Sequence, residues 1–437
     1  MLRLLLLFQI FYTVYQGHYE FASGIPGLNL ANALFLLTLL LVLAAGARNA
    51  VTERALLRGP VLLFSAMLVV SFGIAQARAP GDLMTDVTYL KNALFPPLLY
   101  FLYLHCKQDL KNTRLLVIAV MAVAAIAAVQ AIRQGFDYGL GNFVESHRAS
   151  GPFGDNYRDA NRAGVYYAMF LPMFVAAALF FRSRKLWRAG ALGGVGLLAL
   201  AVMFTYSRQA YFISLLGLAV LLLRRSVVLS VVIGVSLVLL ASYLPESVTQ
   251  RVEETQQKGP HGEERVDEST ASRWEIWAGA MAMWRANPAG VGLNRFKDEI
   301  GKYSSFQHFD AHNFYVLTLA ESGPQGLAAL LLLVAATFRL ARFLRRQAPT
   351  DDPEANALAI GFTVTTLCMA LGNLYGSPFF ETNVMGTYWV LGGLLERQAR
   401  LRAQLAPAAQ AALAPAPPSM QERFPLAARA RGLPPPR

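Results

Sequence analysis

Long uncharged segments constrain the fold of this 437-residue chain more than any other feature of its sequence. Four of them, residues 28–47, 115–132, 190–206 and 227–243, contain no charged side chain. Each is about 17–20 residues long, the length that an α-helix needs to cross roughly 30 Å of hydrocarbon. The chain is also 55% hydrophobic and only 15% charged, which excludes a soluble domain of this size. The sequence therefore predicts an all-α, polytopic integral membrane protein.

Short clusters of Arg and Lys between the apolar segments predict the topology. About twelve spanning helices fit along the chain, beginning with an uncleaved helix at the N-terminus. The basic clusters occupy alternate connections, at residues 48–58, 107–114, 182–188, 224–225, 339–346 and 397–402. By the positive-inside rule these connections and both termini face the cytoplasm, in a multi-pass protein of the bacterial inner membrane. Because the clusters are short and separated, the net charge of +12 does not indicate a nucleic-acid partner.

The connections on the other side predict the domain organisation. Residues 1–244 hold transmembrane helices 1–9, residues 245–322 form a large periplasmic loop, and residues 323–402 hold helices 10–12. Within the loop, large apolar residues recur at helical spacing in 272–287, which predicts a helix lying on the membrane surface. Residues 403–437 are rich in Ala and Pro, which predicts a disordered cytoplasmic tail.

Two arginines in the outward connections are candidates for binding an anionic lipid. Arg208 lies in a very short hairpin between two apolar helices, where its charge is costly unless it pairs or reaches water. It is either a fixed cation for a lipid head group or an interfacial anchor. Arg273 lies near the start of the amphipathic helix and either faces the membrane surface or pairs with Glu275.

His312 is the candidate general base. It lies just before a helix that Gly323 and Pro324 interrupt, so it meets both lipid and water. An imidazole with its ordinary pKa near 6.5 accepts a proton at neutral pH, although a purely structural histidine is the alternative. His308, four residues earlier, could share a helical face with it and hold a metal. The nearby acids complete no recognised ligand motif, so a metal-independent reaction without a cofactor is expected.

Three further polar residues are secondary candidates. Lys91 lies about one turn below the outer surface if Asp86 marks that surface. Its ammonium either faces a lipid phosphate, or has the ordinary role of reaching towards water or pairing with Asp86. In the connection 133–162, Arg148 precedes glycines that permit tight turns and lead to Asn161 at the next helix entrance. A solvated loop arginine is the alternative for Arg148.

Together these segments resemble the O-antigen ligase and polymerase superfamily, integral-membrane glycan transferases that act on polyprenyl-diphosphate-linked sugars. The likeness covers residues 148–326, and the helix count extends it to residue 402. The chain departs from the pattern at residues 155–160, which look like an insertion before Asn161. The motifs that carry the likeness are Arg148-x-x-Gly151-x-Phe153 with Asn161, Ser207-Arg208, Arg273-x-x-x-Trp277, Asn287-Pro288-x-Gly290-x-Gly292 with Phe296, and His312-Asn313 followed by Glu321, Gly323 and Gly326.

The resemblance implies a GT-C-like glycosyltransferase architecture and transfer of a preassembled glycan from undecaprenyl diphosphate to a hydroxyl. In the ligase branch that hydroxyl lies on the lipid A core. His312 would take the hydroxyl proton, while Arg208 and Arg273 would hold the departing diphosphate without a divalent ion. Displacement from the opposite face predicts inversion at the anomeric carbon. The secondary candidates under this resemblance are Lys91, Arg148, Asn161, Asn313 and Glu321.

Two kinds of alternative function remain. Within the superfamily, the chain could be a polymerase of lipid-linked repeat units or a protein O-oligosaccharyltransferase. A non-catalytic transporter or flippase fits the helix number as well. Such proteins usually place polar residues near the bilayer midplane in paired halves, whereas here the polar residues lie in outward connections. An enzyme is therefore favoured.

Overall fold

The computed structural model describes residues 1–19, 29–139, 144–154, 156, 159–241, 256–258, 264–266 and 268–413. Within these ranges most of the chain is helical. The α-helices are α1 (Leu2–Tyr15), α2 (Leu30–Ala44), α3 (Arg58–Arg78), α4 (Leu83–Leu104), α5 (Leu110–Tyr138), α6 (Ala160–Phe180), α7 (Lys185–Phe204), α8 (Arg208–Arg225), α9 (Val227–Ala241), α10 (Glu268–Ala286), α11 (Phe296–Glu299), α12 (Phe314–Gln347), α13 (Pro353–Gly372) and α14 (Thr382–Leu413). Short 3₁₀ turns cover Glu145–His147, Gly151–Phe153, Ile300–Lys302 and Pro378–Phe380. Two short strands, β1 (Gln256–Lys258) and β2 (Glu264–Val266), pair antiparallel.

Six of the described helices, α3, α5, α6, α7, α12 and α13, are long and apolar enough to cross a membrane. The shorter helices α1 and α2 are also apolar. A helix is suited to this environment because it satisfies its own backbone hydrogen bonds in lipid. The all-helical, multi-pass membrane fold predicted from the sequence is confirmed. The number of about twelve spans stays a prediction.

Helix α6 lies at the centre of the bundle. Every residue from Ala163 to Ala176 is buried, which is the behaviour of a helix that is apolar on all sides. It packs against α7, α8 and α13, while α14 packs against α4 and α12 against α3. The helices that carry the candidate residues are thus fixed to a well-packed core.

Charged side chains from several connections meet at one end of the bundle, which we call the basic end. Glu354, at the start of α13, is buried and forms ion pairs with Arg114 at 2.7 Å, Arg184 at 3.2 Å and Arg402 at 3.9 Å. These arginines belong to three basic clusters that the sequence assigns to one side of the membrane. The shared carboxylate explains how these cations are held together.

Arg397 also fixes two connections at the basic end, those around Asn49 and Gln108. Its guanidinium is fully buried and donates hydrogen bonds to the backbone carbonyls of Asn49, Leu104 and Gln108. A buried arginine needs such acceptors, because its donors have lost their contact with water. This end of α14 therefore has a structural role.

Helix α12 begins at Phe314 and kinks at Gly323, whose φ of 67° and ψ of −175° are not helical. The predicted interruption at Gly323 is confirmed, with a short helical segment before it and the long apolar segment after it. The turn from Asn287 to Gly292 packs at this kink, and the Gly292 amide donates to the Glu321 carbonyl at 3.0 Å. A Cβ on Gly292, whose φ is 105°, would lie 2.5 Å from the Cα of Ala75 in α3, so only glycine fits.

Helix α14 continues beyond the last predicted spanning segment. The predicted disordered tail is wrong for residues 403–413, because the helix runs to Leu413. Several of these residues are alanine, and alanine has the highest helix propensity, which favours continuation. Residues 414–437 lie outside the described residues.

Candidate active site

His312 occupies a tight turn that leads into α12. Its φ of 49° lies in the left-handed region, and its side chain is half-buried. Asn313 caps the helix, because its Oδ1 accepts hydrogen bonds from the amides of Tyr315 at 3.0 Å and Val316 at 3.2 Å. His312 therefore directly precedes the first turn of α12, the positive end of the helix dipole, where an anionic group is stabilised.

The turn at residues 372–376 joins the His312 segment to the hairpin that carries Arg208. The Phe314 amide donates to two carbonyls of this turn, at 2.9 and 3.1 Å. The side-chain amide of Gln209 donates to a third, at 2.7 Å. Arg208 is the first residue of α8 and directly precedes Gln209. Both α12 and α8 therefore begin on the same turn.

Helix α10 is docked on the His312 segment by one tryptophan. The Nε1 of Trp277 donates to the backbone carbonyl of Ala311 at 2.8 Å, and its ring lies 6.1 Å from that of Tyr375. Arg273 precedes Trp277 by four residues, which places the two side chains on the same face of α10. This contact packs the helix that carries Arg273 against the His312 segment, and a joint role of Arg273 and His312 stays a prediction.

Glu275, the alternative partner considered for Arg273, forms its hydrogen bonds with Ser305. Its Oε1 accepts hydrogen bonds from the amide of Ser305 at 2.9 Å and from the hydroxyl of Ser305 at 2.6 Å. These bonds lower the pKa of the Glu275 carboxyl. The carboxylate joins α10 to the loop that leads towards His312.

The surroundings of His312 favour its neutral form. Burial lowers the pKa of the imidazole, and the nearby cations Arg273, Lys297 and Arg162 lower it further, whereas Asp310 raises it. Because the pKa of His312 is lowered from its ordinary value of about 6.5, the imidazole is uncharged at neutral pH and keeps one acceptor nitrogen. A general base requires this state.

Arg148 and Asn161 stabilise the end of α7 just before the hairpin that carries Arg208. The buried guanidinium of Arg148 donates to the Thr205 carbonyl at 3.0 Å and to the Asn161 Oδ1 at 2.6 Å. The adjacent amide of Ala149 donates to the Phe204 carbonyl at 3.0 Å. These contacts position the end of α7. A direct role of Arg148 or Asn161 in substrate binding stays a prediction.

Glu321 is buried in α12, two residues before the kink at Gly323. Its Oε1 accepts a hydrogen bond from the Phe296 amide at 3.1 Å, and its backbone carbonyl accepts one from the Ser71 hydroxyl at 2.9 Å. These contacts tie α12 to α3 and to the start of α11. They favour a positioning role for Glu321.

Lys91 does not pair with Asp86, because Asp86 forms its ion pair with Arg295. Asp86 is buried and binds Arg295, whose Nη1 lies 2.7 Å from it, together with Gln76 at 2.6 Å and Asn294 at 3.1 Å. Lys91 is half-buried and forms no ion pair within the described part of the chain. It stays available as a secondary phosphate ligand.

Sequence reasoning missed an ion pair near His312. Arg162 binds Glu381 through its Nε at 2.9 Å and Asp159 through its Nη1 at 3.0 Å. Burial raises the pKa of Glu381 to about 7, and Arg162 opposes that shift. The sequence does show Arg162 directly after Asn161 and Glu381 in the last outward connection. Because the two residues are far apart in the chain, no sequence pattern predicts that they form an ion pair.

The spacing of His308 and His312 does not place them on a helical face. Both residues have left-handed φ angles, 60° and 49°, in a non-helical segment. His308 is exposed, and its Nδ1 lies 3.8 Å from Asp298. Across the described residues, no three His, Cys, Asp or Glu side chains are grouped as a metal site would require.

Part of the chain is similar to a known protein family. Residues 193–331 match a family model described as O-antigen ligase, and the matched region runs from α7 into α12. It contains Arg208, Arg273 and His312, but it does not distinguish the ligase branch from the polymerase branch. No curated protein matches the chain. Members of the matched family are glycosyltransferase-like enzymes that act on lipid-linked glycans. Over residues 193–331, the chain is similar to the O-antigen ligase and polymerase superfamily.

Proposed function

We propose that the protein is an O-antigen ligase. It transfers a preassembled glycan from undecaprenyl diphosphate to a hydroxyl of the lipid A core oligosaccharide. The observation that carries this proposal is the hydrogen bond from Trp277 to the Ala311 carbonyl, which docks the helix of Arg273 beside His312. The reaction needs a base for the hydroxyl and a cation for the leaving diphosphate, and these two residues supply them.

The mechanism assigns one proton and one bond change to these groups. Neutral His312 takes the proton of the acceptor hydroxyl as that oxygen attacks the anomeric carbon. The bond from this carbon to the diphosphate breaks, and the diphosphate leaves with the electron pair. Arg273 and Arg208 stabilise the growing negative charge, because a guanidinium fork binds phosphate oxygens in pairs. The attack comes from the opposite face and inverts the anomeric centre, without a metal ion.

The proposed location follows from the charge distribution. The basic end of the bundle faces the cytoplasm by the positive-inside rule, so both termini do as well. His312 and Arg208 lie at the other ends of their helices and face the periplasm. The donor and the acceptor are both lipids of the bacterial inner membrane, and they reach this site from its outer leaflet.

Reconstituted transfer tests the proposal. The purified full chain in nanodiscs is given lipid-linked glycan and lipid A core with a chelator present. The parent should transfer, whereas His312→Ala, Arg208→Ala and Arg273→Ala should lose most of the activity. Arg285→Ala is the matched control, because Arg285 is exposed near the other end of α10. Retained anomeric configuration in the product would refute the mechanism.

Deletion in the producing bacterium separates the ligase from its alternatives. Loss of a ligase leaves bare lipid A core and polymer on its carrier, whereas loss of a polymerase leaves core bearing one repeat unit. Glycan transferred to protein would instead indicate the protein O-oligosaccharyltransferase branch. A parent without transferase activity, together with a His312→Ala protein that still moves labelled glycan across the bilayer, would indicate a flippase.

A further inference from the structure

A cavity of about 620 Å³ is linked to the His312 turn through one of its lining residues, Phe380. It lies where α1 ends and where α6 and α14 begin. Its volume falls within the range of about 300–1,000 Å³ that small-molecule sites occupy. Phe380 lines the cavity and packs edge-on against Phe314, two residues after His312, with 4.7 Å between the ring centroids. Arg162, on the same lining, contributes to the lowered pKa of His312.

The lining of the cavity is rich in side-chain amides. Gln16, Asn29, Asn92 and Asn383 all contribute to it. The side-chain amides of Gln16, Asn92 and Asn383 make no hydrogen bond to any described residue. The side chain of Asn29 uses only its Oδ1, which caps α2. Each amide offers two donors and one acceptor. Sugar hydroxyls both donate and accept, so they match this lining.

The lining of the cavity disfavours two other classes of ligand, a diphosphate because of its charges and an isoprenoid chain because of its amides. Arg162 is the one cation among the described lining residues, and Glu381 and Asp159 already compensate its charge. A diphosphate needs uncompensated cations, so this cavity does not suit it. An isoprenoid chain would leave the amides without hydrogen-bond partners, which is costly.

We propose that this cavity binds a neutral saccharide unit beside the bond that forms in the transfer reaction. The proposal rests on the proposed function, since it assigns the saccharide to one of the two glycolipid substrates. The unit belongs either to the lipid-linked donor or to the acceptor, because both present the same hydroxyl chemistry. The amides hold its hydroxyls, and Phe380 offers an apolar face.

Kinetics of three leucine variants test the saccharide cavity. Gln16→Leu, Asn92→Leu and Asn383→Leu each remove the hydrogen-bonding capacity of one amide. The KM for one substrate should rise roughly 3- to 10-fold per variant, with kcat nearly unchanged. The substrate whose KM rises is the source of the saccharide. Gln347→Leu is the control, because Gln347 is an exposed amide at the basic end and its variant should match the parent.

A competitor without sugar gives an independent readout. Bare undecaprenyl diphosphate should inhibit the parent and all three variants with the same inhibition constant, because its diphosphate is held by arginines outside the cavity. A changed constant would mean that the variants disturb the diphosphate site, and would overturn the proposal. Asn92→Ala serves as a second variant, because Asn92 is exposed and its truncation leaves the packing of α4 intact.

The outcomes separate this proposal from the proposed function. If the parent transfers glycan while all three variants keep both KM values within about twofold of the parent, the saccharide cavity is refuted and the ligase function stands. If the parent transfers no glycan, the proposed function fails. Binding of the acceptor glycolipid to the full chain, weakened in the three variants but not in Gln347→Leu, would then still support the cavity.

Discussion

Replacing Trp277 with Phe removes one hydrogen bond and keeps an aromatic ring beside Tyr375. The bond joins two residues 34 positions apart and is the described link between α10 and the residue before His312. If it sets the position of Arg273 relative to the imidazole, its loss should reduce transfer beyond any loss of stability. Small displacements of catalytic groups are costly, because the reacting atoms must be closely aligned.

The size of the effect follows from the burial of the acceptor. Ala311 has 0% exposure, so its carbonyl finds no water when the indole donor is removed. An unpaired buried group of this kind costs about 1–3 kcal/mol. If the whole cost falls on the transition state, transfer slows about 5- to 160-fold.

The assay is steady-state transfer by the full chain in nanodiscs, together with thermal unfolding of the same preparations. Trp274→Phe is the matched control, because Trp274 lies on the same helix and is 64% exposed. It should retain the parent rate. In an Arg273→Ala background, Trp277→Phe should slow transfer much less than it does alone, because the two residues act as a unit.

Two results would refute this reasoning. A Trp277→Phe protein with parental kcat and KM but lower thermal stability would mean that the bond only stabilises the fold. Effects of Trp277→Phe and Arg273→Ala that add fully would mean that Trp277 does not act through Arg273.

Three further outcomes are expected. His312→Gln should lower kcat by roughly 10²- to 10⁴-fold, measured by single-turnover transfer, because the base is lost. Transfer should fall as acid protonates His312. Since Asp310 raises and Lys297 lowers the pKa of this imidazole, Asp310→Asn should move the acidic limb of the rate profile to lower pH, and Lys297→Gln should move it to higher pH; shifts of the same sign would contradict this. Arg295→Leu should destabilise the fold by about 3–5 kcal/mol, since it leaves buried Asp86 without its cation; denaturation that matches the parent would refute that role.

The sequence predicted the membrane fold because the signal is local. An apolar run of sufficient length forms a helix in lipid whatever its neighbours are, so α5, α6 and α7 could be placed without any tertiary information. The ends of helices were less well predicted. The last helix continues past Pro407 to Leu413, because the alanine-rich sequence around this proline has high helix propensity.

The candidate site was predicted residue by residue but not as an arrangement. His312 was found because an imidazole at a helix start outside the lipid is chemically suggestive. Its contact with α10 through Trp277 could not be predicted, because residues distant in sequence give no local signal of a hydrogen bond. The same applies to the ion pair of Arg162 with Glu381. The predicted options for Lys91 included Asp86, yet Arg295, 209 residues further along, binds that carboxylate instead.

The sequence alone determined which segments are long and apolar enough to enter a membrane, which connections carry positive charge and which side chains have suitable chemistry. All three depend on properties of single residues or short windows. Only the tertiary structure decided which of these side chains meet, which carboxylate each cation neutralises and where a polar cavity remains. Those outcomes depend on packing between helices that are far apart in the chain, where the burial of one group is stable only if a specific partner reaches it.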